Sequence, residues 1–138
     1  IGNSLKHTPP LGLFRGIAPI RSGAHKNTID LKHAGVVPVV DLARVYALRG
    51  AITAVNTRER IAAAGDAGVI SASGARDLLD AYDLIAEMRL NHQAAQIGAG
   101  APPDNYLAPG RLSELERNHL RDAFLVVKTM QSALGGAA

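Results

Sequence analysis

The sequence predicts an all-α protein: an up-and-down four-helix bundle preceded by an irregular N-terminal arm. Three observations predict it. Of the 138 residues, 47% are hydrophobic but only 4% are aromatic, so the apolar content is largely Ala, Leu and Val, which suits closely packed helices better than a β-sandwich. Apolar residues recur at three- and four-residue spacings through four segments, the period of an amphipathic helix. Short connections separate most of these segments, which makes consecutive helices antiparallel neighbours. The length supports one domain with a real core over residues 1–138, with the arm at 1–35 and the bundle at 36–134.

In the arm, Pro9, Pro10, Pro19 and the glycines at 12, 16, 23 and 35 interrupt any regular pattern. One helical turn fits at Leu11–Phe14. Thr28 to Lys32 alternates, so an extended backbone sends Ile29 and Leu31 toward the bundle and Asp30 and Lys32 toward a cleft or solvent. Helix one is expected from Pro38 to Arg49, with proline in its first turn. Val36, Val39, Val40, Leu42, Ala43, Tyr46 and Ala47 form its broad apolar face. Asp41 and Arg44 form an ion pair on the opposite side, and Gly50 stops the helix.

Helix two is expected from Thr57 to Ala64. Asn56 and Glu59 have capping-box spacing at its start, and Gly65 and Gly68 close it. Helix three begins after Ser71 or Ser73 and ends near Gly98. Asp77, Asp80 and Asp83 form a solvated face in its early half, where negative charge complements the helix dipole. Residues 98–112 form a loop in which Pro102-Pro103-Asp104-Asn105 is a turn signal. Helix four is expected from Glu114 to Leu134, opened by a Ser113–Glu116 capping box and closed by Gly135-Gly136. Its core stripe is Leu120, Ala123, Val127, Met130 and Leu134, with Arg117, Arg121 and Lys128 on the wet side.

The chemistry concentrates on helix three. At 100° per residue, Leu78, Ala81, Tyr82, Ile85 and Met88 share one face, and Arg89, His92 and Gln96 continue it. An apolar stripe thus turns polar in its last turns, where an unpaired buried group would cost ~1–3 kcal/mol. Two readings follow. The polar groups form a satisfied structural network, or they face a ligand, with Arg89 supplying fixed positive charge and His92 a donor–acceptor pair for an anion. Lys32 likewise is either a solvated partner of Asp30 or a contact to phosphate or carboxylate, held by Asp30. Asn105 and Tyr106 either reach into the site or only stitch their turn.

Several functions are excluded as expectations. There is no Walker-type loop, no GxGxxG after a strand, no GxSxG elbow and no cysteine, so no catalytic residue is assigned. His7, His25 and His33 are too widely spaced to predict a metal site. The net charge of +3 is spread along the chain without Lys/Arg clustering, which argues against nucleic acid. No apolar run reaches ~18 residues, so no membrane span is expected. Absence of cysteine fits a cytoplasmic location. The opening residues have the character of mid-sequence, as in a C-terminal fragment of a longer protein.

Seven segments together carry a resemblance. They are PPLGLF at 9–14, IDLKHAGVVPVVDLARVYALRG at 29–50, NTRERI at 56–61, AAGDAGVIS at 63–71, DAYDLIAEMRLNHQ at 80–93, PPDNYLAP at 102–109 and LSELERNHLRDAFLVVKTMQ at 112–131. In this order they resemble the family known as the putative nucleotidyltransferase substrate-binding domain. That family follows a nucleotidyltransferase catalytic domain in predicted bacterial signalling proteins, often behind cyclic-nucleotide-binding or CBS modules. It is similar to regions of the enzymes that uridylylate the PII protein and adenylylate glutamine synthetase. The resemblance implies a bundle that forms the acceptor-substrate side of a cleft, with the catalytic domain of the same chain as partner. Its IDLK, RLNHQ and PDN segments place substrate-binding roles on Asp30, Lys32, Arg89, His92, Gln93, Asp104 and Asn105. Nucleoside triphosphate and Mg²⁺ are implied for the catalytic domain, whose Gly-Ser motif and acidic pair are missing from this chain, and no cofactor is implied here. The acceptor substrate is left open, as is a homodimer. The alternative from another class is a module that docks the catalytic and regulatory domains, or dimerises, without holding a ligand.

Overall fold

A computed structural model describes residues 7–12 and 16–136 of the chain. Its helices are α1 (Val37–Arg49), α2 (Thr57–Asp66), α3 (Ala72–Gly98) and α4 (Glu114–Gly136). All four lie where apolar periodicity places them, so the mainly helical expectation holds. Two features soften the all-α description. Strands β1 (Ile29–Asp30) and β2 (Tyr106–Leu107) pair antiparallel, Ile29 opposite Leu107 and Asp30 opposite Tyr106. A single π-helical turn, Lys32–Val36, then feeds directly into α1. The arm is therefore not irregular throughout, nor is 98–112 all loop, since Pro109–Arg111 adds a 3₁₀ turn. β1 falls within the Thr28–Lys32 stretch whose alternation suits an extended backbone, whereas β2 is too short to show one and its partner lies far away in the chain.

The helix starts follow the local signals. The Glu59 N–H donates to Asn56 Oδ1 at 2.8 Å, and the Gly74 N–H donates to Ser71 Oγ at 3.0 Å, which makes Ser71 the cap of α3. At α4 the box is reciprocal: the Glu116 N–H donates to Ser113 Oγ at 3.1 Å and the Ser113 N–H to Glu116 Oε1 at 2.9 Å. These bonds hold the Glu116 carboxyl below its ordinary pKa.

Two glycines expected to stop helices do something else. Gly65 lies inside α2, which runs on to Asp66. A Cβ there would sit 2.7 Å from the Ala75 methyl, so Gly65 is what lets α2 lie against α3. Gly50 keeps a negative φ, and the left-handed residue that terminates α1 is Ala51, at φ 52°. The Ile52 N–H then reaches back to the Ala47 carbonyl at 2.9 Å, the closing bond of such a terminus. At Gly50 a Cβ would lie 2.7 Å from Val69 Cγ2, so the requirement there is space.

The core gathers around α1. Val39, Leu42, Ala43, Val45 and Tyr46 are buried, joined by Ile29 and Leu31 from the arm as the Thr28–Lys32 alternation requires. From the other helices come Ile61 and Ala64, Leu78, Ala81 and Ile85, and Leu120, Phe124, Val127 and Leu134. Phe124 completes the α4 stripe, whereas Met130 is only half-buried. Asp41, expected on a wet face, is 9% exposed with Arg44 Nη1 3.8 Å away, because α1 is packed nearly all round. Asp83 is not simply solvated either: it pairs with Arg58 of α2. Gly35 of the π turn packs so closely on α3 that a Cβ would meet Ile85 Cγ2 at 2.8 Å.

At the front of the chain Leu11 bridges to Ile17, while residues 13 and 14 of the turn expected at Leu11–Phe14 lie outside the described residues. Gln131 of α4 donates to the His7 carbonyl at 2.8 Å and ties the arm down. No helix among the described residues is long and apolar enough to cross a membrane.

Candidate functional site

Helix α3 runs past the core at its C-terminal end, and there its face changes from apolar to polar. Arg89, His92, Gln93 and Gln96 are half-buried in this stretch. The chain reverses after Gly98, and the ribbon strand β2 brings Asp104 and Asn105 back against them. Asn105 Oδ1 accepts from Arg89 Nε at 2.6 Å and from Gln93 Nε2 at 3.2 Å. Its carbonyl also accepts the Leu31 N–H at 2.8 Å, which couples the cluster to the start of the π turn. His92 Nε2 lies 3.1 Å from Asp104 Oδ1, with the imidazole side chain 14% exposed and the carboxylate 43%. Gln96 Oε1 accepts the Asp104 N–H at 2.8 Å, and Asp104 Oδ1 takes the Tyr106 N–H at 3.0 Å.

The electrostatics follow from these bonds. Desolvation pushes the Asp104 carboxyl up, but the hydrogen bonds from the Tyr106 backbone, Gln96 and His92, with the charge of His92, outweigh it and hold the group below its ordinary range. Asp104 therefore stays ionised. It anchors the Nε2 side of His92 and leaves Nδ1 for another partner. Arg89 spends Nε on Asn105, and its two terminal nitrogens make no bond among the described residues. A guanidinium end held by its Nε is pre-oriented for a carboxylate or phosphate.

Of the remaining two sequence-assigned residues, Asp30 sits on the adjoining ribbon and Lys32 opens the π turn that follows it. Asp30 lies opposite Tyr106. Its carboxylate accepts the Lys32 and His33 N–H groups, each at 3.0 Å, and Oδ2 meets His33 Nδ1 at 2.9 Å. Asp30 thus caps the π turn and pairs with His33, which corrects the expectation that it holds the Lys32 ammonium. Lys32 is exposed, and its ammonium makes no ion pair among the described residues. The seven residues therefore divide into a hydrogen-bonded five (Arg89, His92, Gln93, Asp104 and Asn105) and a two-residue flank.

Three neighbours went unassigned in the sequence. His25 stacks on Tyr106 with ring centroids 3.5 Å apart and planes 4° from parallel. His33 takes the Asp30 carboxylate, and Gln96 holds the Asp104 backbone. Only Gln96 had a signal, its place on the α3 face; the stacking joins a turn of the arm to β2, which no local pattern connects. No group of three or more His, Asp or Glu residues among the described residues is placed to hold a metal ion.

The family model described as "Putative nucleotidyltransferase substrate binding domain" matches residues 1–137, nearly the whole chain. The chain belongs to that family. No curated protein and no solved structure matches it. The match agrees with the resemblance carried by the seven sequence segments, and its description implies a nucleotidyltransferase catalytic domain as partner.

Proposed function

We propose that this chain is the non-catalytic substrate-binding domain of a signalling nucleotidyltransferase of the protein-uridylyltransferase kind, and that the α3–β2 cluster forms the acceptor side of its cleft. The observation that carries the proposal is the convergence of Arg89, His92 and Gln93 from α3 with Asp104 and Asn105 from the returning chain. Family membership gives that convergence a context. In this reading Arg89 and the free Lys32 ammonium hold an anionic group, His92 and Gln93 orient it, and Asp104 and Asn105 position those side chains. Mg²⁺ and the nucleoside triphosphate would be held by the catalytic domain, as the family resemblance implies. An up-and-down bundle is the matching architecture. It is supported by the order of neighbours along α4: Leu134 with Ile70 just before α3, then Met130 with Gly74 and Ala123 with Ala81 of α3.

The test is an NMR titration of the chain with inorganic phosphate as the small anionic ligand, then with the separately expressed catalytic domain. The reading expects shifts at Asp30–Lys32, Arg89–Gln93 and Asp104–Asn105 with the small ligand, lost in a folded Lys32→Ala variant. Lys32 is the clean choice because its side chain bonds to nothing the fold needs, whereas truncating Arg89 would strand Asn105. Unchanged affinity in Lys32→Ala would remove Lys32 from the site.

A second reading is favoured by one observation. Leu90 and Ile97, on the outer side of the same stretch of α3, are 63% and 62% exposed. If only the catalytic domain produces shifts, and they map to these residues, the chain is a docking element instead.

A further inference from the structure

A cavity lies away from the α3–β2 cluster, where α1 and α4 finish and α3 begins. Its volume is about 160 Å³, and it is lined by Tyr46, Arg49, Val69, Ile70, Met130 and Leu134. From the start of α3 to His92 is roughly 30 Å at the helical rise of 1.5 Å per residue, so this cavity is separate from the α3–β2 cluster.

Two features set it apart from a packing defect. Tyr46 is 2% exposed, yet its hydroxyl makes no hydrogen bond among the described residues. The sealed polar side-chain atom without a partner, among those residues, is Gln131 Oε1 and not the phenol. Tyr46 lines the cavity and its hydroxyl is not sealed off, so a group bound there can accept a hydrogen bond from it. Arg49, one turn later, lines the same cavity and makes no ion pair among the described residues. It lies near enough to influence the Tyr46 proton electrostatically. The remaining walls are aliphatic or thioether.

We propose that this cavity is a binding site for a small carboxylate with an aromatic or branched aliphatic body. The carboxylate takes the Tyr46 O–H and the Arg49 guanidinium, and the body lies against Val69, Ile70, Met130 and Leu134. The size fits, since an apolar protein cavity of ~150 Å³ accommodates benzene. The charge fits too: a neutral body alone would leave Arg49 unused, and a cation would meet it unfavourably. Gly50 borders the cavity wall at Val69, since a Cβ there would lie 2.7 Å from Val69 Cγ2.

The test uses benzoate and 3-methylbutanoate as probes, with benzyl alcohol and 3-methylbutanol as neutral controls, followed by NMR on the 138-residue chain. Ligands of this size reach roughly millimolar affinity when they fit. The expected result is shifts at Ile70, Met130 and Leu134 with the acids and at least about fivefold weaker binding of the alcohols. Tyr46→Phe, which keeps the ring packing, and Arg49→Gln should each weaken acid binding about five- to tenfold. No shifts at ~20 mM acid would overturn the site, given the affinity expected for such ligands. Equal binding of acid and alcohol, or unchanged affinity in both variants, would overturn the carboxylate assignment. A titration response at the α3–β2 cluster in place of these residues would count against this cavity and leave the proposed function standing.

Discussion

Gly65→Ala sets two effects of opposite sign against each other. Gly65 has helical backbone inside α2, so alanine gains up to about 1 kcal/mol of helix propensity, less near a helix end. Against this, the new Cβ would lie 2.7 Å from the Ala75 Cβ, where carbon atoms prefer about 3.5–4.0 Å. A methyl on Ala75 has no rotamer to change, so α2 and α3 must move apart by about 1 Å. That separation also loosens Ile61 and Ala64 against Leu78, all buried. Overpacking costs ~1–3 kcal/mol, and a clash relieved only by backbone movement belongs at the upper end. The net expectation is a loss of about 2 kcal/mol, or roughly 8 °C in Tm for a chain of this length. Urea denaturation followed by far-UV circular dichroism measures it. The control is Ala75→Gly, which removes the opposing methyl at a cost of about 1 kcal/mol of its own. In that background Gly65→Ala should become neutral or stabilising. A stabilised single variant, or an equal loss in both backgrounds, would refute close helix approach as the reason for glycine here.

Two further predictions concern α1. Ala51 carries a positive φ of 52°, a conformation that costs an L-residue about 1 kcal/mol, so Ala51→Gly should raise stability by up to that amount in the same denaturation assay. Burial pushes the Tyr46 phenol up to about 12 despite the lowering influence of Arg49. Between pH 10 and 12 the unfolded chain releases that proton while the folded chain keeps it, so stability falls as pH rises through this window, by up to about 3 kcal/mol. Urea midpoints across the window should fall less steeply in Tyr46→Phe, and parallel slopes would contradict the burial.

How much of this was readable from the sequence depends on how far apart the interacting groups lie. The helix starts were readable because a cap is a contact over three residues: Asn56 with Glu59, Ser71 with Gly74, Ser113 with Glu116. The core faces of α3 and α4 were readable because helical period brings Leu78, Ala81 and Ile85, or Leu120, Val127 and Leu134, into line before any packing is known. The polar end of α3 was visible for the same reason, and the ordered segments that resemble the family agree with the family match.

Contacts between distant parts of the chain were not readable. The sequence by itself determined where helices begin, which faces are apolar and that α3 ends in polar residues seeking partners. Only the tertiary structure decided that those partners are Asp104 and Asn105, that Asp30 turns to His33 and away from the Lys32 ammonium, and that Asp41 is enclosed by the elements around α1. The glycines mark the division most clearly. In sequence, Gly50 and Gly65 signal helix ends, because glycine is conformationally free. In the folded chain both are places where a Cβ would strike a residue of another segment, Val69 or Ala75. Local signals reflect the energy of one turn of chain, whereas steric exclusion between elements arises only once those elements are packed together.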